Sequence, residues 1–478
     1  MRLRLVALCL LPGLALGAEA VTRPHLDRNA GPESIAFEGR TFVNDGLVGA
    51  GSVPADTLDA WGDTLGSFSS LQIRGWKRVG DHYEGVLWTL PDRGPNDPAA
   101  GIFYDYASRL HRFRLLFMPQ DGRLTLLPAG GLKLRDDRGH PFTGADPGQG
   151  TLKGRKVELP SPSSGPGAGK ISLDAESLQF RRDGGFYVGD EYTANVCYFD
   201  RQGRLRGLIE PPAAVMPRSD GLVHFGSIVP PQTGRRNNQG VEGMSLSPDG
   251  RRLFVVLQSA LMQDTAQGEP QGRVNTRVLV YDVTRSPTPR SPVGHFVVQL
   301  PGYSNRGDGT AANRTAAQSE VRALNDHQFL MLSRDSAGLG GPDDDPVVYK
   351  SILLVDTHGA TNLAGSPFET GVESVLARSE ETTLRPWIVP ARWVEFVNLL
   401  NPVQLARFGL DVSKLSEKWE AMDFVSALDP GAPDDYLLFV GNDNDFAARH
   451  CRIAGQVCDA PLDNDGRILV YRIRLPQR

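Results

Sequence analysis

Residues 174–207 read Asp174-Ala-Glu-Ser-Leu-Gln-Phe-Arg-Arg-Asp-Gly-Gly-Phe-Tyr-Val-Gly-Asp-Glu191-Tyr-Thr-Ala-Asn-Val-Cys-Tyr-Phe-Asp-Arg-Gln-Gly203-Arg-Leu-Arg-Gly207. Leu178 and Phe180 alternate with polar residues, Asp183-Gly184-Gly185 reverses the chain, and Phe186–Val188 returns it. Val196–Phe199 and Arg204–Ile209 repeat the move across Arg201-Gln-Gly203, so the stretch is expected to fold as two successive hairpins. Acidic residues stand where the first strand begins (Asp174, Glu176) and where the second ends (Asp190, Glu191). Antiparallel pairing brings them to one edge of the sheet.

The same unit recurs along the chain. It is legible at Ser69–Leu127, at Gln239–Leu300, at Ser319–Asp356 and at Lys418–Leu475. Glu176 precedes Glu191 by 15 residues, Glu242 precedes Gln258 by 16, and Glu320 precedes Asp335 by 15. From Glu420 to Asp443 it is 23, lengthened by Asp429-Pro-Gly-Ala-Pro433. One four-stranded sheet cannot bury both faces alone, so repetition at this scale predicts an all-β fold, a β-propeller of about six four-stranded blades with long inserted loops. Ser34–Val43 is expected to pair with the C-terminal strand and close the ring. Thr383–Leu415 is a candidate for a degenerate unit, with Trp393–Leu400 reading as a helix.

The 53 glycines and 35 prolines among 478 residues suit many short strands joined by turns. A formal charge of −5 gives no electrostatic case for nucleic acid or an anionic membrane. The basic start at Arg2 and Arg4, the short apolar run and the small residues Ala18 and Ala20 read as a secretory signal peptide cleaved near Ala20. Residues 21–478 are then one domain, secreted or periplasmic, with no membrane span, and a monomer is expected. Cys451 and Cys458 are free to pair in an oxidising compartment, whereas Cys197, inside a strand, reads as a small buried residue.

Taken together, Leu90-Pro-Asp-Arg-Gly94, Asp174-Ala-Glu-Ser-Leu178 with Asp190-Glu191-Tyr192, and Asn238-Gln-Gly-Val-Glu-Gly243 with Leu257-Gln258 resemble the phytase-like family, also described by an esterase-like activity of phytase. Glu320 before Leu332-Ser-Arg-Asp335, and Lys418-Trp-Glu420 before Asn442-Asp-Asn-Asp445, continue the likeness over roughly 60–475. The resemblance implies a propeller, an extracytoplasmic location and hydrolysis of a phosphoester or ester. The chain departs from the pattern at Ser69-Ser70, where later units carry Glu, and at Ala421, where Gly243 follows Glu242 in the earlier unit.

Inner strands of a propeller line its channel, so Glu176, Glu242, Glu320 and Glu420 are expected to converge. Carboxylates that meet without cations repel one another, and a hard cation such as calcium, which takes several oxygen ligands, relieves this. The expected ligand set is those four with Asp92, Asp335 and Asp445. Arg93, Arg322, Arg334 and Lys418 are candidates to hold a small anionic or ester substrate, and Glu191, Asp443 and Asp190 are the candidate catalytic carboxylates. There is no Gly-x-Ser-x-Gly elbow and no His-x-His or His-Glu-x-x-His pair, which argues against a serine esterase and against zinc. The competing expectation is a non-catalytic, ligand- or envelope-binding propeller with structural calcium.

Overall fold

The computed structural model describes residues 20–27, 29–153, 155–341 and 345–476. The expected signal peptide, Ala20 apart, lies outside them.

β1 (Glu33–Phe37) and β2 (Arg40–Val53) form an N-terminal hairpin. A four-stranded unit follows: β3 (Ser70–Val79), β4 (His82–Leu90), β5 (Arg109–Met118) and β6 (Arg123–Lys133). The next is β7 (Ala175–Phe180), β8 (Phe186–Asp190), β9 (Val196–Phe199) and β10 (Leu205–Ile209). Then come β11 (Val241–Leu246), β12 (Arg252–Leu257), β13 (Asn275–Asp282) and β14 (Gly294–Gln299). The fourth unit is β15 (Ala317–Ala323), β16 (Gln328–Arg334), β17 (Lys350–Asp356) and β18 (Arg392–Asn398). The last is β19 (Trp419–Ser426), β20 (Asp435–Asn442) and β21 (Gly466–Arg474), completed by β2, whose Val43 pairs with Arg474.

The opening strands β3, β7, β11, β15 and β19 neighbour one another in that order, and β19 returns to β3. The molecule is thus a β-propeller whose N-terminal strand closes the ring on the C-terminal sheet. Among the described residues five four-stranded units make the ring, against the about six expected. Thr383–Leu415 adds no further blade: the segment expected as a helix, Trp393–Leu400, is mostly the outer strand β18.

Asp-Gly turns set the hairpins. Asp183, Asp249 and Asp121 each accept a hydrogen bond from the backbone N–H two residues on, at 3.0 Å, while Gly184, Gly250 and Gly122 take positive φ. Between the blades lie apolar layers, such as Leu253, Val255 and Tyr187 between the second and third, and Leu354, Leu438 and Tyr471 between the fourth and fifth. β2 also runs against β6: a Cβ on Gly51 would lie 2.3 Å from the Leu124 carbonyl oxygen, so only glycine permits that approach.

Side chains stitch the inner strands together. Gln72 accepts from Phe180 N (2.7 Å), Gln179 from Leu246 N (3.1 Å), Ser245 from Ala323 N (2.9 Å) and Asp423 from Ile73 N (2.8 Å). At the remaining joint stands Arg322, a side chain that can donate but not accept, with its Nε 3.5 Å from Asp423 Oδ1. Among the described residues no helix is long and apolar enough to cross a membrane. Cys451 and Cys458 form a disulfide and Cys197 is buried.

Candidate functional site

The strand registers decide which carboxylates meet. In β7 the register slips between the pairs Ala175–Asp190 and Ser177–Gly189, leaving Glu176 as a bulge. The same slip frees Glu242 between Val241–Leu257 and Gly243–Val256, and Glu420 between Trp419–Asn442 and Ala421–Gly441. A bulge re-aims its side chain, and these three turn toward one end of the channel.

Next to each bulge stands the residue that follows the paired end of the second strand: Glu191, Gln258 and Asp443. The first blade has Ser69 next to the Ser70–Leu90 pair and, two residues past Leu90, Asp92. Gln258 donates to Glu242 at 2.6 Å, and Ser69 donates to Asp443 at 2.6 Å.

The fourth blade is shifted by one residue. Its bulge is Ser319, between Gln318–Ser333 and Glu320–Leu332, and its matching second-strand residue is Arg334, which donates to Ser319 at 3.2 Å. Glu320 therefore occupies the in-register place held elsewhere by Ser177, Gly243 and Ala421. It accepts from Ser70 Oγ (2.6 Å), Met244 N (3.2 Å) and Val321 N (2.9 Å), and pairs with Arg322 at 2.8 Å. Burial, only partly offset by Arg322, pushes its carboxyl up to about 7.

Four of the residues expected at the site are engaged in other contacts. Glu320 is a joint between blades rather than a member of the carboxylate group. Arg322 donates to the carbonyls of Met244, Val321 and Leu71, and so is spent on the scaffold. Asp335, fully buried, accepts from Val348 N (2.5 Å), Tyr349 N (2.7 Å) and Lys350 Nζ (2.7 Å). Asp190 is taken up by Asp174 N (3.1 Å), Tyr192 N (3.2 Å) and the amide and hydroxyl of Thr193, a local turn that fixes where Glu191 points.

The remaining carboxylates gather. Asp174, Glu176 and Glu191 offer oxygens within 4.8 Å of one another, as do Glu176, Glu420 and Asp443, and again Asp92, Asp443 and Asp445. Glu176 and Asp443 each belong to two of these triads. Glu242 adjoins them, and no other charge acts on Glu176 more strongly. Sequence reasoning left Asp174 out of the ligand set; its signal was the alternation Asp174-Ala-Glu176, which puts both side chains on one face of an extended strand.

Three cations answer these acids. Arg93 pairs with Asp174 at 3.0 Å, Arg334 with Glu420, and Lys418 with Asp445 at 2.6 Å. Negative charge stays in excess. Burial first, and then neighbouring carboxylates, hold Asp92, Glu176 and Glu242 well above the usual carboxylate range. The same causes push Glu191 up to about 8 and Asp443 up to about 7. Asp174 Oδ1 and Glu242 Oε2 are buried with no hydrogen-bond partner.

The donor set is oxygen only, charged, and carries unsatisfied atoms, which fits a hard divalent cation and suits neither zinc nor copper. The group is enclosed: Glu176 is 8% exposed and Glu191 3%. An open cavity of 420 Å³ lies at the opposite mouth of the channel, where Gln179, Arg181, Ser245, Arg322 and Asp423 line it.

The family described as Phytase-like, esterase-like activity of phytase, matches residues 64–446. An uncharacterized secreted protein of Arthroderma benhamiae is 33% identical over 461 residues, covering 85% of this chain and 88% of that protein. Likenesses to solved structures are slight. The PQQ-bound aldose sugar dehydrogenase of Streptomyces coelicolor matches with TM-score 0.28 at 11% identity, over 94% of this chain and 100% of that one. The N-terminal domain of Nup159 matches with TM-score 0.29 at 7% identity, over 96% and 100%. Neither bears on function.

Proposed function

The chain belongs to the phytase-like family, and from that premise we propose that it is a secreted or periplasmic hydrolase of phosphoesters, with carboxylic esters as the next substrate class, dependent on calcium or a similar hard cation. One observation carries the proposal: an excess of buried carboxylates from several blades, two of them shared between triads, with buried oxygens left unpartnered. Asp174, Glu176, Glu191, Glu420, Asp92, Asp443 and Asp445 would hold such cations in these triads, with Glu242 beside them. Once bound, such a cation would supply charge to polarise a phosphoryl or carbonyl oxygen and to acidify a water.

The chain's own residues do the rest. Lys418, 28% exposed, is the basic side chain of the group with most access to solvent and is suited to hold an anionic substrate at the rim. Arg93 and Arg334 orient Asp174 and Glu420 and keep the local charge tolerable. Glu191 and Asp443 are the carboxylates suited to receive the proton of the attacking water, whichever of them is not engaged as a ligand.

Burial of the same carboxylates favours a second reading, a non-catalytic propeller stapled by structural calcium. Phosphate release from a panel of phosphomonoesters, and alcohol release from an ester panel, separate the two when measured with calcium, with chelator and in Glu242→Gln. The hydrolase reading expects turnover that needs calcium and falls in the variant while the circular dichroism is unchanged. No turnover on either panel under any divalent cation, with calcium still raising the melting temperature, gives the structural reading.

A further inference from the structure

We propose that Lys418 is a resident stand-in for one cation: its ammonium sits at the Asp92–Asp443–Asp445 triad and is displaced when a divalent cation enters there. The inference rests on the cation-binding reading above. Each triad contains an acid paired with a basic side chain, but the three pairs differ in kind. Arg93 is 7% exposed, bonded to Asp174 and Asn96, and its guanidinium lies 5.9 Å from the Tyr192 ring centre. Arg334 is 4% exposed and donates to Ser319, to the Asp335 carbonyl and to Glu420. Both are planar forks locked on several acceptors.

Lys418 makes one side-chain hydrogen bond among the described residues, to Asp445 at 2.6 Å, and its chain is 28% exposed. An ammonium is a compact charge on a flexible stem, able to leave without breaking a wider network. The Lys418 ammonium lies within the electrostatic reach of Asp445, Glu420, Asp443 and Asp92. Asp174, whose Oδ1 is buried without a hydrogen-bond partner, acts electrostatically on Asp92 of that triad, and Lys418 in turn acts on Glu242, whose buried Oε2 is likewise unpartnered. The ammonium and an entering divalent cation repel each other at that spacing and compete for the same Asp445 carboxylate. Entry of a divalent cation therefore turns Lys418 outward and leaves a free ammonium beside the group, where an anionic substrate meets it. Cation first and anion second is the order that follows.

Calorimetric titration of the full-length mature protein with calcium chloride alone tests this, on wild type, Lys418→Met and Lys418→Arg, with melting temperatures read with and without calcium. Removing the competing charge is expected to tighten calcium binding about tenfold or more. Lys418→Met is also expected to melt lower than wild type without calcium and level with it at saturation. Lys418→Arg, which keeps the charge, binds calcium no more tightly than wild type.

Calcium binding to wild type that Lys418→Met leaves unchanged or weakens overturns the role of Lys418 while sparing the cation site. Binding by neither protein overturns both. A melting deficit in Lys418→Met that calcium does not close marks the lysine as scaffold and refutes displacement.

Discussion

Asp335 and Lys350 form an ion pair at 2.7 Å with both side chains 0% exposed, and replacing Asp335 by Ala separates scaffold from site. The substitution removes the acceptor of the Val348 and Tyr349 N–H groups and leaves the Lys350 ammonium with the Glu417 carbonyl at 2.8 Å. Breaking a buried pair by removing one partner costs about 3–5 kcal/mol. Burial already lowers the proton affinity of Lys350, and Asp335 opposes that; without Asp335 the folded-state value drops further below the unfolded one. The unfolded chain then binds more protons than the folded one between the two values, so the deficit shrinks as pH rises from 7 toward 9. Urea unfolding at pH 7 and pH 9, with and without calcium, measures it. The double variant Asp335→Ala/Lys350→Met recovers part of the loss, because no charge is left stranded. A loss under about 1 kcal/mol, or one seen only when calcium is present, would refute the scaffold role and return Asp335 to the ligand set.

Glu320→Gln keeps the Ser70 and backbone contacts within reach, so calcium affinity stays within about twofold of wild type, whereas Glu176→Gln, striking two triads at once, lowers it by about tenfold or more. Burial holds the His295 imidazole, set between Arg277 and Glu369, down at about 4. Its contribution is complete above the unfolded value of 6.5 and is lost as pH falls toward 4, roughly 2 kcal/mol by pH 5; unfolding of wild type and His295→Gln at pH 7 and 5 should differ in slope by that amount, and parallel slopes would contradict it. Opening the Cys451–Cys458 bridge by a double Ser substitution frees a short loop packed with Phe446 and should cost about 2.5 kcal/mol on the chain-entropy estimate, read as a lower urea midpoint with an unchanged circular dichroism spectrum.

The hairpins and the closure of the ring were legible because Asp-Gly turns and strand alternation are local. Trp393–Leu400 misread because a short apolar run fits either period, and only packing on β17 makes it a strand. The one-residue shift of the fourth blade was hidden for a different reason. A spacing of 15 fits Ser319 with Arg334 as well as Glu320 with Asp335, and a bulge leaves no mark on composition. A glutamate draws the eye where the bulged residue is a serine. Asp92, Glu176, Glu191, Glu242, Glu420, Asp443 and Asp445 do gather at one end, because in their blades the acid itself stands at the bulge or just past the second strand.

Anomalous diffraction from crystals grown in calcium puts the cation site to the most direct test. Peaks are expected between Asp174, Glu176 and Glu191 and between Asp92, Asp443 and Asp445, with carboxylate oxygens at about 2.3–2.6 Å and Lys418 swung away from Asp445. A map with no peak at saturating calcium, and with the carboxylates hydrogen-bonded to one another as protonated pairs, would contradict it.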